Sequence, residues 1–374
     1  MAATGGTHMQ ERDTPSDTPA PKKKSPTRRV LQSLFSLAIV VVIFVFVLPK
    51  VADFSKVWDA MRDMTGAEIS VLSVVAVWNL CTYWFVWMSV LPGLKMRQAA
   101  VATEASTALA NTVPGGSYLS IALTYAMFHS WGFRRSVVTL ALLISGIWNN
   151  FAKLAIPVLA LACLALQGQV TAARVVAAAL GVLGLAGAVV IFALALRTDA
   201  AAARLGNLSA RVASSVLRLL HRPPATGWDI AVTRFRQKTI GLLRTRWHLI
   251  TLTTVVSQLS LYVVLLAALR EVGVSNNEVN WAEVLAVFAF ARLVTAIPLT
   301  PGGVGVMELA LIGGLVTAGG ERAAVVAAVL VYRVLTYLVP IPLGLISYVI
   351  WRINTSWRKP PQPALGDTPV VAVT

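Results

Sequence analysis

"AIPLTPGGVGVMELAL", residues 296–311, is the stretch that decides how this chain folds. Apart from Glu308 it is as apolar as a membrane span, yet it holds Pro298, Pro301, Gly302, Gly303 and Gly305. Proline removes a backbone donor and clashes with the preceding turn, and glycine weakens a helix by about 1 kcal/mol relative to alanine. A chain that only crosses the bilayer gains nothing from such residues. A chain whose helices end in mid-membrane needs them, and its freed backbone groups are tolerated only beside protein or a watery cavity.

Composition sets the solvent. Of 374 residues 57% are apolar and 13% charged, and the mean hydropathy is +0.72. This is the composition of an integral membrane protein. The formal charge of +16 does not signal nucleic acid, because the cations fall in short blocks between apolar runs. There they orient the chain and contact lipid. Cys81 and Cys163 lie inside apolar runs, read as packing residues with no sign of a disulfide or metal site. No cofactor motif stands out, and no cleavable signal precedes the first apolar run near Val30.

A span needs about 20 apolar residues. Residues 30–48, 69–91, 137–166, 175–196, 248–269 and 324–351 meet that requirement. Residues 1–29 read as a disordered basic tail, and Lys22–Lys24, Arg28 and Arg29 place it in the cytoplasm. Arg134, Arg135 and the arginines of 197–246 mark the cytoplasm again, as do Arg352, Arg358 and Lys359 in the C-terminal tail 352–374. The loop 270–283 carries Glu271, Glu278 and Glu283 against Arg270 and reads as external.

This assignment leaves two apolar segments, 99–128 and 284–319, each with both ends on one side. Each has a Pro-Gly-Gly near its middle, Pro114-Gly115-Gly116 and Pro301-Gly302-Gly303. Arms of about 15 residues reach only about 22 Å as helix, short of the roughly 30 Å hydrocarbon core. The economical expectation is two re-entrant hairpins with opposed tips; pairs of full spans preserve the same orientation. The fold class expected is therefore an all-α polytopic membrane protein with an inverted-topology repeat. The first repeat is 30–166 and the second 167–351, each with three spans plus a hairpin. A basic amphipathic insert, 197–247, interrupts the second. In it Arg204, Arg211 and Arg218 recur every seven residues, suited to the anionic inner leaflet. Paired Gly/Pro-interrupted segments in two halves point to a transporter's binding site.

The stretch "IPLTPGGVGVMELAL", with Arg292 before it and "VYRVLTYLVPIPLG" after, resembles the signature of the flippase-like integral-membrane family. That family includes the transmembrane domain of lysylphosphatidylglycerol synthases. "NTVPGGS" at 111–117 is similar to its N-terminal element, and the resemblance covers about 30–351. It implies movement of phospholipids or polyprenyl-linked glycolipids across a bacterial plasma membrane, with no enzyme activity, since no soluble aminoacyl-transferase domain follows Trp351. After the first hairpin this chain has "SGIWNNFAKL" where many relatives show an acidic–arginine pattern.

A charge at the bilayer centre costs about 2.5–3.5 kcal/mol on insertion scales, so each one needs a reason. Glu104, Lys153, Arg292, Glu308 and Arg333 are the five. A helix restarting at Gly303 would offer bare N–H groups to a phosphate, with Pro301 and Gly302 forming the tip. Pro114, Gly115, Gly116 and Ser117 would do the same from the other face. Arg292 and Arg333 either contact the headgroup or serve as structural partners of Glu308, which is itself either that partner or a protonatable coupler. Lys153, with Asn150, either lines the cavity or pairs with Glu104, and Asn111 either caps a broken helix or touches ligand. A lipid or lipid-linked glycan translocase is the leading function. An ion-coupled small-solute carrier and a non-transporting subunit of a cell-envelope glycosyltransferase system are the alternatives.

Overall fold

The computed structural model describes Arg62 and residues 64–113, 116–168, 172–198, 228–295 and 303–359. All of them lie in the compact unit Val47–Thr374; the other unit, Met1–Phe46, falls outside them. Also outside are the expected span 30–48, the 204/211/218 stripe, Pro114, Gly115, Pro301 and Gly302.

Among the described residues the secondary structure is helical. In chain order it comprises α1 (Gly66–Val90), α2 (Met96–Thr112), α3 (Gly116–Ser130), α4 (Arg135–Leu166) and α5 (Ala172–Arg197). There follow α6 (Trp228–Glu271), α7 (Trp281–Val294), α8 (Val306–Thr317), α9 (Arg322–Arg333), a π-helical turn Val334–Leu338, and α10 (Pro340–Ile353). Among the described residues four stretches are long and apolar enough to cross a membrane: Gly66–Val90, Arg135–Leu166, Arg236–Glu271 and Arg322–Ile353. Apolar side chains such as Val74, Leu119, Leu183 and Leu309 are exposed on the outside, as lipid contact requires.

The two Pro-Gly-Gly segments each form a pair of short helices. α2 and α3 have 17 and 15 residues, α7 and α8 have 14 and 12. Their lengths, about 18–25 Å, fall short of the hydrocarbon core. Capping defines their outer ends. Asn280 accepts from the N–H groups of Ala282 and Glu283 while Glu283 accepts from the Asn280 N–H, fixing the start of α7. Arg270 ties the loop before it, donating to the carbonyls of Val274 and Val279 at 2.7 and 2.8 Å.

Packing joins helices far apart in the chain. α2 lies against α10, α7 against α4, and α1 against α6. Small residues permit this, since helices in lipid associate by close contact rather than by the hydrophobic effect. Ala99, Ala102, Ala105 and Ala108 form a buried stripe on α2. Gly344 of α10 sits so near that a Cβ would stand 2.2 Å from the Glu104 carbonyl oxygen. The α1–α6 seam is polar: the Asn79 amide donates to Ser260 Oγ at 2.6 Å and Thr253 donates to Ser89 at 3.2 Å.

Proline shapes the spans after the hairpins. Pro157 sits inside α4. Before Pro340 the helix widens instead, and the Val339 N–H reaches back five residues to the Val334 carbonyl at 2.9 Å. The proline ring would otherwise meet a carbonyl four residues earlier, and a π turn relieves that clash. The buried positions keep step: Val325, Ala328, Val329 and Tyr332 before the turn, then Tyr337, Ile341 and Gly344 after it.

Candidate functional site

A cavity of about 290 Å³ opens where the two helix pairs meet the last span. Asn79 and Tyr83 of α1, and Thr103, Glu104, Thr107 and Asn111 of α2, form one wall. Arg292 and Thr295 from the end of α7, with Gly303 and Met307, form another. Tyr332, Arg333, Thr336 and Tyr337 close it.

The two arginines differ. Arg333 Nε donates to Glu308 Oε1 at 2.6 Å, and its guanidinium lies 4.5 Å from the centre of the Tyr337 ring. Glu308 Oε2 accepts from the Gly305 N–H at 2.7 Å. One carboxylate therefore fastens α9 to α8 and caps α8. Of the pairings the sequence left open for Glu308, the structure contains the one with Arg333. Arg292 has no described carboxylate partner. Its Nη2 donates to Gln258 Oε1 at 3.0 Å, and its Nε is buried without an acceptor. Gln258 in turn donates to Asn149 Oδ1. A guanidinium held on one edge by a neutral amide keeps its remaining donors for something else.

The helix start differs from the expectation of bare N–H groups at Gly303. α8 begins at Val306 with Gly305 as its cap, and Glu308 folds back onto the Gly305 N–H. The helix supplies its own anion, so the free cationic donors of the cavity are those of Arg292. Gly303 still lines the cavity, at φ +70°.

Across the cavity, Glu104 is 5% exposed. Its Oε1 accepts from Trp84 Nε1 at 3.0 Å, and its Oε2 is buried without a partner. Trp84 thus serves the buried acid. Asn111 donates to the Tyr337 carbonyl at 3.1 Å, and the Tyr337 hydroxyl donates to the Asn111 carbonyl at 2.6 Å. The tip of the first helix pair is so latched to the π turn.

The other sequence candidates lie as follows. Ser117 lines the cavity, whereas Gly116 is buried against α2. Asn150 is exposed and donates to the Gly146 carbonyl of its own helix. Lys153 is half-buried, makes no ion pair with Glu104, and is near enough to Arg292 to feel its charge. Sequence reasoning missed Tyr83, Gln258, Tyr332 and Tyr337. Gln258 carried a signal, a lone amide in the apolar run "TTVVSQLSLY"; Tyr332 and Tyr337 flank Arg333 in the segment that carries the family resemblance, whereas Tyr83 lies apart in α1.

A family model of the lysylphosphatidylglycerol synthase transmembrane region matches residues 33–344. The chain is also similar to the inner membrane protein YbhN of Escherichia coli (strain K12), 35% identical over 75 residues. That match spans 20% of this chain and 24% of the relative's length. An all-helical membrane bundle with its cavity between broken segments, matched over nearly its whole membrane part, identifies the chain as a member of the lysylphosphatidylglycerol synthase transmembrane-region family.

Proposed function

We propose that this protein translocates a lipid, a phospholipid or a polyprenyl-linked glycolipid, by seating its anionic headgroup in the cavity between the two helix pairs. Arg292 carries the reading: a half-buried guanidinium at a cavity wall, held by Gln258, with Nε unpartnered and no acidic partner among the described residues. Such a fork binds phosphate through parallel charge-assisted hydrogen bonds. A volume of about 290 Å³ suits a headgroup rather than a whole lipid, leaving the acyl or prenyl chains in the bilayer.

The helix pairs act as re-entrant hairpins of an inverted repeat, in a bacterial plasma membrane with both termini cytoplasmic. The reciprocal packing of α2 on α10 and α7 on α4 supports this, because a two-fold relation between halves requires such an exchange. Alternating access then rocks one half against the other around the cavity. The chain acts as a carrier and not as an enzyme. A proton-coupled small-solute carrier is the second reading, favoured by Glu104 with its unpartnered oxygen at the same cavity.

Transport by proteoliposomes tests the first reading. Arg292→Gln should abolish translocation of a fluorescent anionic phospholipid, and Arg292→Lys should retain a small part of it. Parent-like rates in both variants would remove the cavity from the mechanism. Uptake of a soluble headgroup without its chains would instead favour the solute carrier. Topology has its own measurement. In a background lacking Cys81 and Cys163, Arg135→Cys and Glu321→Cys should label from opposite faces; labelling from one face ends the inverted repeat.

A further inference from the structure

At the end of the bundle where α1 stops and α2 and α4 begin lies a second pocket, of about 670 Å³. Its walls come from the α1–α2 turn, the α3–α4 turn and the chain after α10. Lys95, Arg97, Arg134 and Lys359 line it, and no acidic residue does. None of the four makes an ion pair with a described carboxylate.

Two of these cations occupy costly positions. Lys95 is the N-cap of α2 and Arg134 the N-cap of α4, and neither side chain accepts a hydrogen bond from the first turn. Caps are ordinarily Ser, Thr, Asp or Asn, and a cation at the positive end of a helix dipole is repelled by it. An anion lying between the two helix starts turns that repulsion into attraction.

A buried donor points the same way independently. Trp131 lines the pocket and is 4% exposed, and its indole N–H is buried with no acceptor. Native buried donors nearly always find one. The ring is held in place, edge-on to Trp357 at 6.0 Å and tilted against Phe128 at 5.9 Å between centroids. The chain after α10 is tied down beside it, the Lys359 N–H donating to the Ser130 carbonyl at 3.1 Å.

We propose that this pocket is a binding site for a phosphate group, separate from the mid-membrane cavity, carried either by a phospholipid headgroup or by a soluble phosphate. It joins both outer ends of the first helix pair to the chain after α10, so an occupant fastens the base of that pair.

Two probes test this on the full chain, purified in detergent and stripped of phospholipid. Phosphatidylglycerol in mixed micelles is counted by native mass spectrometry, and inorganic pyrophosphate is titrated by calorimetry. Replacing both caps, Lys95→Gln with Arg134→Gln, should weaken binding of at least one probe roughly tenfold. Trp131→Phe keeps the ring and removes the donor, and should weaken it roughly threefold. Trp131→Phe also keeps the test decisive if the charge variant folds poorly. Variant-sensitive binding of phosphatidylglycerol alone assigns the site to a headgroup, and of pyrophosphate to a soluble phosphate. Saturable binding of neither probe, or equal binding by parent and both variants, overturns the proposal. So does binding that is lost only in Arg292→Gln, because it belongs to the other cavity.

Discussion

In the first helix pair three residues, 113–115, join α2 to α3, whereas in the second eleven residues, 295–305, join α7 to α8. Gly116 at the first break packs so tightly that a Cβ would stand 2.3 Å from the Leu109 carbonyl oxygen. Gly303 and Gly305 at the second take φ of +70° and +83°; a Cβ on Gly303 would meet the Thr295 side chain, at 3.2 Å, and one on Gly305 would meet nothing. The same Pro-Gly-Gly therefore meets two needs, space in one half and backbone dihedral in the other. The fastenings differ as well. The first tip is latched by neutral hydrogen bonds between Asn111 and Tyr337, the second by the Glu308–Arg333 ion pair.

The largest test of that contrast is the ion pair. Glu308→Gln leaves Arg333 without its carboxylate and removes the α8 cap's charge, for a loss of about 3 kcal/mol, toward the low end for a buried pair because both side chains keep some exposure. Lys153→Met, in α4 after the first helix pair, breaks no such pair and should leave thermal unfolding in detergent unchanged or raise its midpoint. Equal losses from both would erase the distinction.

Next come the glycines. Gly116→Ala forces a Cβ against backbone and should cost about 2–3 kcal/mol. Gly303→Ala meets only the Thr295 side chain, at 3.2 Å, and should cost about 1–2 kcal/mol from its left-handed φ. The reverse order in unfolding midpoints would mean that the second connection is the crowded one.

The smallest effect lies at the heads of the spans that follow. α9 starts behind Glu321, an acid, and α4 behind Arg134, a cation. Hydrogen bonds from the Ala323 and Ala324 N–H groups hold the Glu321 carboxyl below its ordinary value. Its stabilisation is thus present above the unfolded-state value, about 4.3, and lost as pH falls through the lower folded one. Glu321→Gln should lower the midpoint slightly at neutral pH, leave it unchanged below the folded value, and so flatten the acid limb of the midpoint-against-pH curve.

Much of this was legible because apolar runs and breakers are one-dimensional signals. The sequence spans 69–91, 137–166, 248–269 and 324–351 fall within or at the edges of the four long apolar helices. The short helices end on either side of the two Pro-Gly-Gly runs that made those segments conspicuous. Side-chain direction was not legible. Whether Glu308 meets Arg292 or Arg333 depends on how α8 is rotated against α9, and no spacing encodes that. Gln258 became visible only once α6 was placed beside α7 and Arg292 was found leaning on it. Asn150 looked eligible beside Lys153 until the helix turned it outward.

The π turn has a consequence for how this protein tolerates changes of length. Losing one codon from a transmembrane helix normally rotates everything downstream by about 100° and turns a buried face toward lipid. Between Tyr332 and Tyr337 the buried stripe already steps by five residues instead of four. Deleting Leu335 would shorten that step to four and leave Ile341 and Gly344 on the face they now occupy, although the Pro340 ring would again meet the carbonyl four residues before it. A scan of single-residue deletions along Arg322–Ile353 should therefore find its tolerant position in this turn, with inserted protein recovered there and lost on either side.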